Sequence, residues 1–175
     1  MFRVLITVLV TIVSLLDYQT YAAAAEVDSE TGKVELNESV SMTGTAVATW
    51  ERHQLDDEIS YNLRLYLVVD ASELDTRLVE KIPNGLASDE IVINLNYLDY
   101  GEGRLEAIRT IFGTPMFDTI SHEVGTYQKF GTFTIDHLMT IVECDHRDFY
   151  ADFRNFKSKK EGRHLPQPSL DLGCS

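Results

Sequence analysis

Residues 40–50 alternate with a period of two, and that pattern commits the chain to β-structure. Val40, Met42, Gly44, Ala46, Ala48 and Trp50 share one parity; Ser41, Thr43, Thr45 and Thr49 share the other, with Val47 the exception. This is the signature of a half-buried strand. Gly44 in the middle predicts a bulge or a sharp bend, as in the first strand of a small barrel. Tyr61, Leu63, Leu65, Leu67 and Val69 form a second alternating face, and Ile91, Ile93 and Leu95 a third. The polar run 51–58 is expected to be a loop, with the first two strands antiparallel across it.

One segment has helical spacing. In residues 103–112, Leu105, Ile108, Ile111 and Phe112 share a face opposite Arg104, Glu106 and Arg109. Gly113 and Pro115 are stop signals. Residues 116–124 and 131–144 read as two more strands around a loop at 125–130, the second with Phe133, Ile135, Met139 and Ile141 on one face. Residues 148–156 fit a helix through Phe149, Phe153 and Phe156, or a strand through Phe149, Ala151 and Phe153; their aromatic density favours the strand. Residues 70–88 have mixed periodicity and contain the turn signal Pro83-Asn84-Gly85. The order predicts an all-β fold with one short helix, an OB-like antiparallel barrel with the helix between its third and fourth strands. A β-sandwich with one helix is the alternative.

The N-terminus carries an address. Arg3 is followed by an apolar run from Val4 to Leu16 and then by Ala22-Ala23-Ala24-Ala25. This is the grammar of a secretory signal peptide over residues 1–25, cleaved after Ala24 or Ala25. The run falls short of the ~20 residues of a bilayer-spanning helix, so no membrane anchor is expected. Residues 26–38 are acidic and polar and read as a flexible leader, with Asn37-Glu38-Ser39 a match to a glycosylation acceptor. Residues 39–175 are expected to form a single domain, secreted or periplasmic. Outside the cytoplasm Cys144 and Cys174 are most simply one disulfide. It would tether the tail, His164-Leu165-Pro166-Gln167-Pro168 included, to the body.

The formal net charge is −13, and it is unchanged by loss of Arg3 and Asp17. Such a balance repels phosphate backbones, so nucleic acid is not an expected partner. It favours encounter with a basic protein, although acidity also serves solubility alone.

The stretch from Gly113 through Pro115 and Asp118 to His122, then Phe133-Thr134-Ile135 and Ile141-Val142-Glu143-Cys144, resembles a family of small bacterial secreted or periplasmic OB-like barrel proteins of uncharacterised activity. Val40-Ser41-Met42-Thr43-Gly44-Thr45 is similar to their opening strand, whereas His122 stands alone where adjacent histidines are the family pattern. The resemblance implies a barrel fold and an extracytoplasmic compartment, and no activity.

No motif marks a catalytic or metal centre. Asp118 and His122, read as strand residues, stand about 13 Å apart, too far to share a metal. Neighbours in Glu143-Cys144-Asp145-His146 point to opposite faces. There is no HExxH, GxSxG or SxxK, and Gly101-Glu102-Gly103 lacks the strand and third glycine of a dinucleotide loop. No catalytic residue, metal or cofactor is assigned. The candidate binding residues are Trp50, Asp118, His122, Tyr127 and His137. Aromatics with polar tips are common at binding faces, and hairpin matching places Asp118 opposite, or one step diagonal to, His137 as a cross-strand carboxylate–imidazole pair. The expected function is a non-catalytic binding module for an envelope ligand or a basic protein. The alternatives are an acidic inhibitor or immunity protein that neutralises a basic toxin or enzyme, and a hydrolase without a recognisable motif.

Overall fold

The computed structural model describes residues 25–28, 32–55, 58–96, 102–122, 125–143 and 146–159, with backbone alone for 51–55, 58–61, 119–122 and 143. The elements are β1 (Glu26–Val27), β2 (Val34–Leu36), β3 (Val40–Leu55), β4 (Glu58–Asp70), a 3-10 turn (Ala71–Glu73), α1 (Thr76–Val79), β5 (Glu90–Leu95), α2 (Glu102–Phe112), α3 (Thr114–His122), β6 (Thr126–Glu143) and β7 (His146–Ser158).

Five strands close a barrel in the order β6-β3-β4-β5-β7, with β7 pairing back onto β6. Every pair is antiparallel except β5 with β7, which is parallel. This is an OB-like barrel, and its helical connection lies between the third and fourth barrel strands, as the sequence predicts. The inner parity of β3 and β4 (Met42, Ala46, Ala48; Leu63, Leu65, Leu67, Val69) joins Ile91, Ile93, Leu95, Phe133 and Ile135 in one core. Gly44 lies in that row, and a Cβ there would come within 2.5 Å of the Val68 carbonyl oxygen. Only glycine lets β3 approach β4 this closely.

Three segments expected as loop or leader carry strand. Of the polar run expected as a loop at 51–58, residues 51–55 and 58 are strand, in register from Glu51↔Asn62 to Leu55↔Glu58, and 56–57 lie outside the described residues. The loop expected at 125–130 is mostly strand, because β6 starts at Thr126 and pairs there with Thr49. The segment expected as a mobile leader carries β1 and β2, and β2 pairs with β6 through Val34↔Thr140 and Leu36↔Leu138. Val34 and Leu36 are fully buried. Two apolar side chains two residues apart suffice to dock an otherwise acidic segment on the edge that β6 presents beyond β3.

The stretch 116–124, expected as a strand, begins in helix α3. Pro115 fits the first turn of a helix, where its missing N–H has no partner to lose, so the residue that stops α2 also opens α3. The α2 C-terminus is the Gly113 corner, with φ +81° and its N–H donated to the Arg109 carbonyl at 2.8 Å. The buried face of α2 also differs from expectation. It is Arg104, Ala107, Ile108, Ile111 and Phe112, while Leu105 is 39% exposed. These positions follow the i, i+3, i+4, i+7, i+8 stripe. Arg104 occupies it because its guanidinium finds backbone oxygens: Nη1 donates to Leu63 O at 3.2 Å and Nη2 to Asn96 O at 3.1 Å. The helix is thereby fastened to the start of the barrel part of β4 and the end of β5.

Asparagines stitch the parallel seam. Asn94 Nδ2 donates to Phe149 O at 3.3 Å, and Asn96 Oδ1 accepts from Phe153 N at 2.8 Å, beyond the end of β5. Asn96 adopts φ +52° to do so, a conformation asparagine tolerates better than most residues.

Candidate functional site

At the end of the barrel where β5 and β7 begin, opposite α2, an open groove of about 570 Å³ runs between two walls. One wall is the connection that precedes β5. Asn84 and Gly85 both have positive φ there, 66° and 72°, as the sequence signal for a tight turn predicts. The turn is held from below by Ile82, which is 5% exposed. The connection is pinned further back as well. Asp75 caps α1 by accepting from Arg77 N at 2.9 Å, and Arg77 also pairs with Glu38. The Arg77 side chain holds the Asp75 carboxyl below the usual carboxylate range, and its two carboxylates push the Arg77 pKa up.

The other wall is the hairpin of β6 and β7. His146 and Asp148 are two residues apart on one strand and so share a face. His146 Nε2 lies 3.2 Å from Asp148 Oδ2. Arg147 on the opposite parity reaches back, Nη1 to Thr140 Oγ1 at 3.5 Å. Pro83, Leu86, Ile91, Val92, Val142 and Phe149 supply apolar surface, and Asn84, Ser88, Glu90, His146, Arg147 and Asp148 supply polar groups. Such a mixture binds a ligand by burying its apolar part and orienting its polar part. The charges are of both signs, so a zwitterionic or neutral polar ligand meets a partner at each end.

None of Trp50, Asp118, Tyr127 and His137 lines this groove. Trp50 and Tyr127 are half-buried and pack against the inner core; Tyr127 stands opposite Ala48, two residues from Trp50. Asp118 lies on helix α3 and is exposed, so the cross-strand pair with His137 does not exist. The same helix puts Asp118 and His122 only about 6 Å apart along its axis, and the His122 side chain lies outside the described residues. Cys144 and Cys174, the signal segment 1–24 and the tail after Lys159 lie outside them too.

His137 occupies a different place. It sits at a bulge where the β6–β7 register shifts between Asp136 and Met139, with φ +50° and a half-exposed side chain. Its Nδ1 is 3.8 Å from Glu35 Oε1. Beside it lies a smaller hollow of about 290 Å³, with Lys33, Tyr150 and Asp152 among its lining residues. The adjacent Asp136 accepts from the Ser39 hydroxyl and from Arg154 Nε, and these hydrogen bonds, with the charge of Arg154 and the nearby His137, hold its carboxyl below the usual range. This bulge fastens β2 and β7 to β6. Among the described residues no three His, Cys, Asp or Glu side chains converge as a metal site would require.

By sequence His146 is a possible metal ligand at the end of an alternating run whose neighbours point apart. The signal that locates the groove residues is His146-Arg147-Asp148 at the start of a strand, next to an apolar Phe149. Set beside protein-family models, curated proteins and solved structures, the chain matches none of them.

Proposed function

We propose that this chain is a secreted or periplasmic binding module whose ligand lies in the groove between the Pro83-Asn84-Gly85 turn and the start of β7. The observation that carries this reading is the groove itself: about 570 Å³, with an apolar floor and the His146–Asp148 pair and Arg147 at its polar rim. The volume is that of a small-molecule or short-peptide site. The signal-like N-terminus and the two cysteines support the compartment. The protein takes no cofactor in this reading.

The second reading, an acidic inhibitor of a basic protein, is favoured by the net charge of −13. The two readings make different predictions about salt. Binding in a half-apolar groove persists at high ionic strength, whereas capture of a basic partner by long-range charge weakens steeply.

The test has two parts. Intact mass of the exported protein should show a start at Ala25 or Glu26; retention of Met1 removes the compartment from the proposal. Amide chemical shifts are then followed while panels of short peptides and glycan fragments are added. Binding should perturb residues 90–92 and 146–149, survive 0.5 M salt (about a 4 Å screening length) and be lost in Arg147→Ala. Shifts elsewhere, or binding only to cationic proteins at low salt, would favour the inhibitor. Turnover of an ester, phosphate or glycan substrate abolished by His146→Ala would make the site hydrolytic instead.

A further inference from the structure

The groove beside β7 is bordered by strand edges, not by one strand face. Successive residues of a strand point to opposite sides of the sheet. Yet consecutive residues line the groove, from Glu90 to Val92 on β5 and from His146 to Phe149 on β7. The reason is a fork in the barrel wall. The parallel seam of β5 and β7 runs only from Ile93↔Phe149 to Leu95↔Ala151. The preceding rung, Val92 with Asp148, is not made, although the strands begin at Glu90 and His146. The two edges part there, and the groove lies between them.

Backbone alternation says what these edges offer. Ala71 N–H donates to Asp89 O at 2.8 Å, on the β4 side, and Asn96 N–H donates to Ala151 O at 2.9 Å, across the seam. Even-numbered residues of β5 therefore direct their backbone groups at β7, and odd-numbered residues of β7 direct theirs at β5. Before the first rung of the seam, Val92 N–H and both the N–H and the carbonyl of Arg147 face the groove. Among the described residues no strand pairs with this stretch of either edge. At the mouth, Glu90 N–H is met by its own connection, donating to Ser88 Oγ at 3.2 Å. An open strand edge is a template for another extended chain.

We propose that the ligand of this groove is an extended peptide segment of a partner protein, which enters the fork as an added strand and alternates apolar and basic side chains. The inference rests on the reading of the groove as the ligand site and narrows the ligand to a peptide main chain bonded to Arg147 and Val92. Side-chain parity sets the alternation. Ile91 and Phe149 belong to the inner core. Val142, 46% exposed, shares their side as a neighbour of Thr140 two residues on and as the register partner of Arg147. Inward side chains of the added strand meet these apolar groups. Outward ones lie between Glu90 and Asp148, on the parity opposite the core, where two flanking carboxylates favour a lysine or arginine. The Arg147 guanidinium is drawn the other way, toward Thr140 Oγ1 at 3.5 Å. The open edges, 90–92 and 146–148, are each about 10 Å long, enough for about three ligand residues in the order apolar, basic, apolar.

The full chain is titrated with end-blocked hexapeptides: one alternating valine and lysine, one with the same residues in two blocks, and one alternating valine and serine. The alternating valine–lysine peptide should shift the Val92 and Arg147 amides and slow their hydrogen exchange. A copy N-methylated on every second backbone nitrogen should bind about tenfold more weakly, the worth of one well-made hydrogen bond. Glu90→Gln with Asp148→Asn should weaken the lysine peptide and leave the serine peptide unchanged. Equal binding of the block or N-methylated peptide would overturn the proposal, as would equal losses for the lysine and serine peptides in the double variant. So would contacts from residues 160–175 to Val92 and Arg147 in the unliganded chain, because the tail would then fill the fork. If glycan fragments shift residues 90–92 and 146–149 and no peptide does, the groove stands as a ligand site and the added strand falls; if neither does, both fall.

Discussion

Gly44 of β3 and Gly131 of β6 stand directly opposite one another in the strand register. Each is a site of close approach. A Cβ on Gly131 would lie 2.3 Å from Phe156 Cε2 and 2.6 Å from the Lys157 carbonyl oxygen. Phe156 fills the space left by the missing side chain and packs at a tilt against Phe133 with centroids 4.9 Å apart. The two glycines let β3 bend against β4 and let β7 close on β6, which is how a five-stranded sheet becomes a barrel.

Gly131→Ala should therefore destabilise the fold by about 1–3 kcal/mol, the usual range for overpacking. Phe156→Ala removes the ring from the clash and leaves the Lys157 carbonyl. In that background the cost of Gly131→Ala should shrink without vanishing. Urea unfolding of the four proteins of the cycle measures it, and equal costs in the two backgrounds would refute the close-approach account.

Arg104→Ala should cost about 2–3 kcal/mol, because two carbonyls lose charged donors in a dry setting. The loss should be felt locally first. Amide exchange of α2 and of the end of β5 should accelerate more than that of β3. Uniform acceleration would mean that Arg104 does not join the helix to the barrel.

Asp136 provides an acid-sensitive clasp. Ser39 and Arg154 depress its pKa in the folded state, so its contribution is complete above the unfolded value of about 3.9. It is lost as pH falls through the lower folded value. Asp136→Asn should thus reduce stability at pH 6 and much less at pH 2.5. Denaturant midpoints at the two pH values give the comparison; the same deficit at both would show that the carboxylate charge is irrelevant.

If the chain is exported as proposed, its single pair of cysteines predicts a Cys144–Cys174 bond. Non-reducing peptide mapping should find the two peptides joined. Closing a loop of that size should add about 4 kcal/mol in the chain-entropy model, so Cys174→Ser should lower the unfolding midpoint measurably. Two alkylated thiols in protein purified without reductant would rule the bond out.

The strands legible in the sequence were those with one wet and one dry face, such as β3 from Val40, β4 from Tyr61 and the run through Phe133 and Ile135. The ambiguous 148–156 was also a strand, as its aromatics favoured. Errors fell where local pattern and partner disagreed. Residues 116–124 are rich in apolar side chains, but Pro115 after the Gly113 corner makes a helix start as readily as a helix stop. Val34 and Leu36 looked like part of an acidic leader because a three-residue strand has too few positions to display a period. Arg104 was placed outside on its charge, and only the carbonyls of Leu63 and Asn96 make its burial tolerable.

The binding residues were the least legible. Trp50 and Tyr127 were chosen for their residue type and lean on the core; Asp118 and His137 were matched across a hairpin that is not there. His146 and Asp148 line the groove because the parallel seam of β5 and β7 brings them against a turn some sixty residues earlier in the chain. The sequence by itself determined the alternation that commits the chain to a barrel, the Gly44 bend, the place of the helix and the acidity, since each of these acts over a few residues or over the whole composition. Tertiary structure alone decided which strand edges stay open, which charge is buried and where the groove opens, because those depend on surfaces that meet only after the barrel has closed.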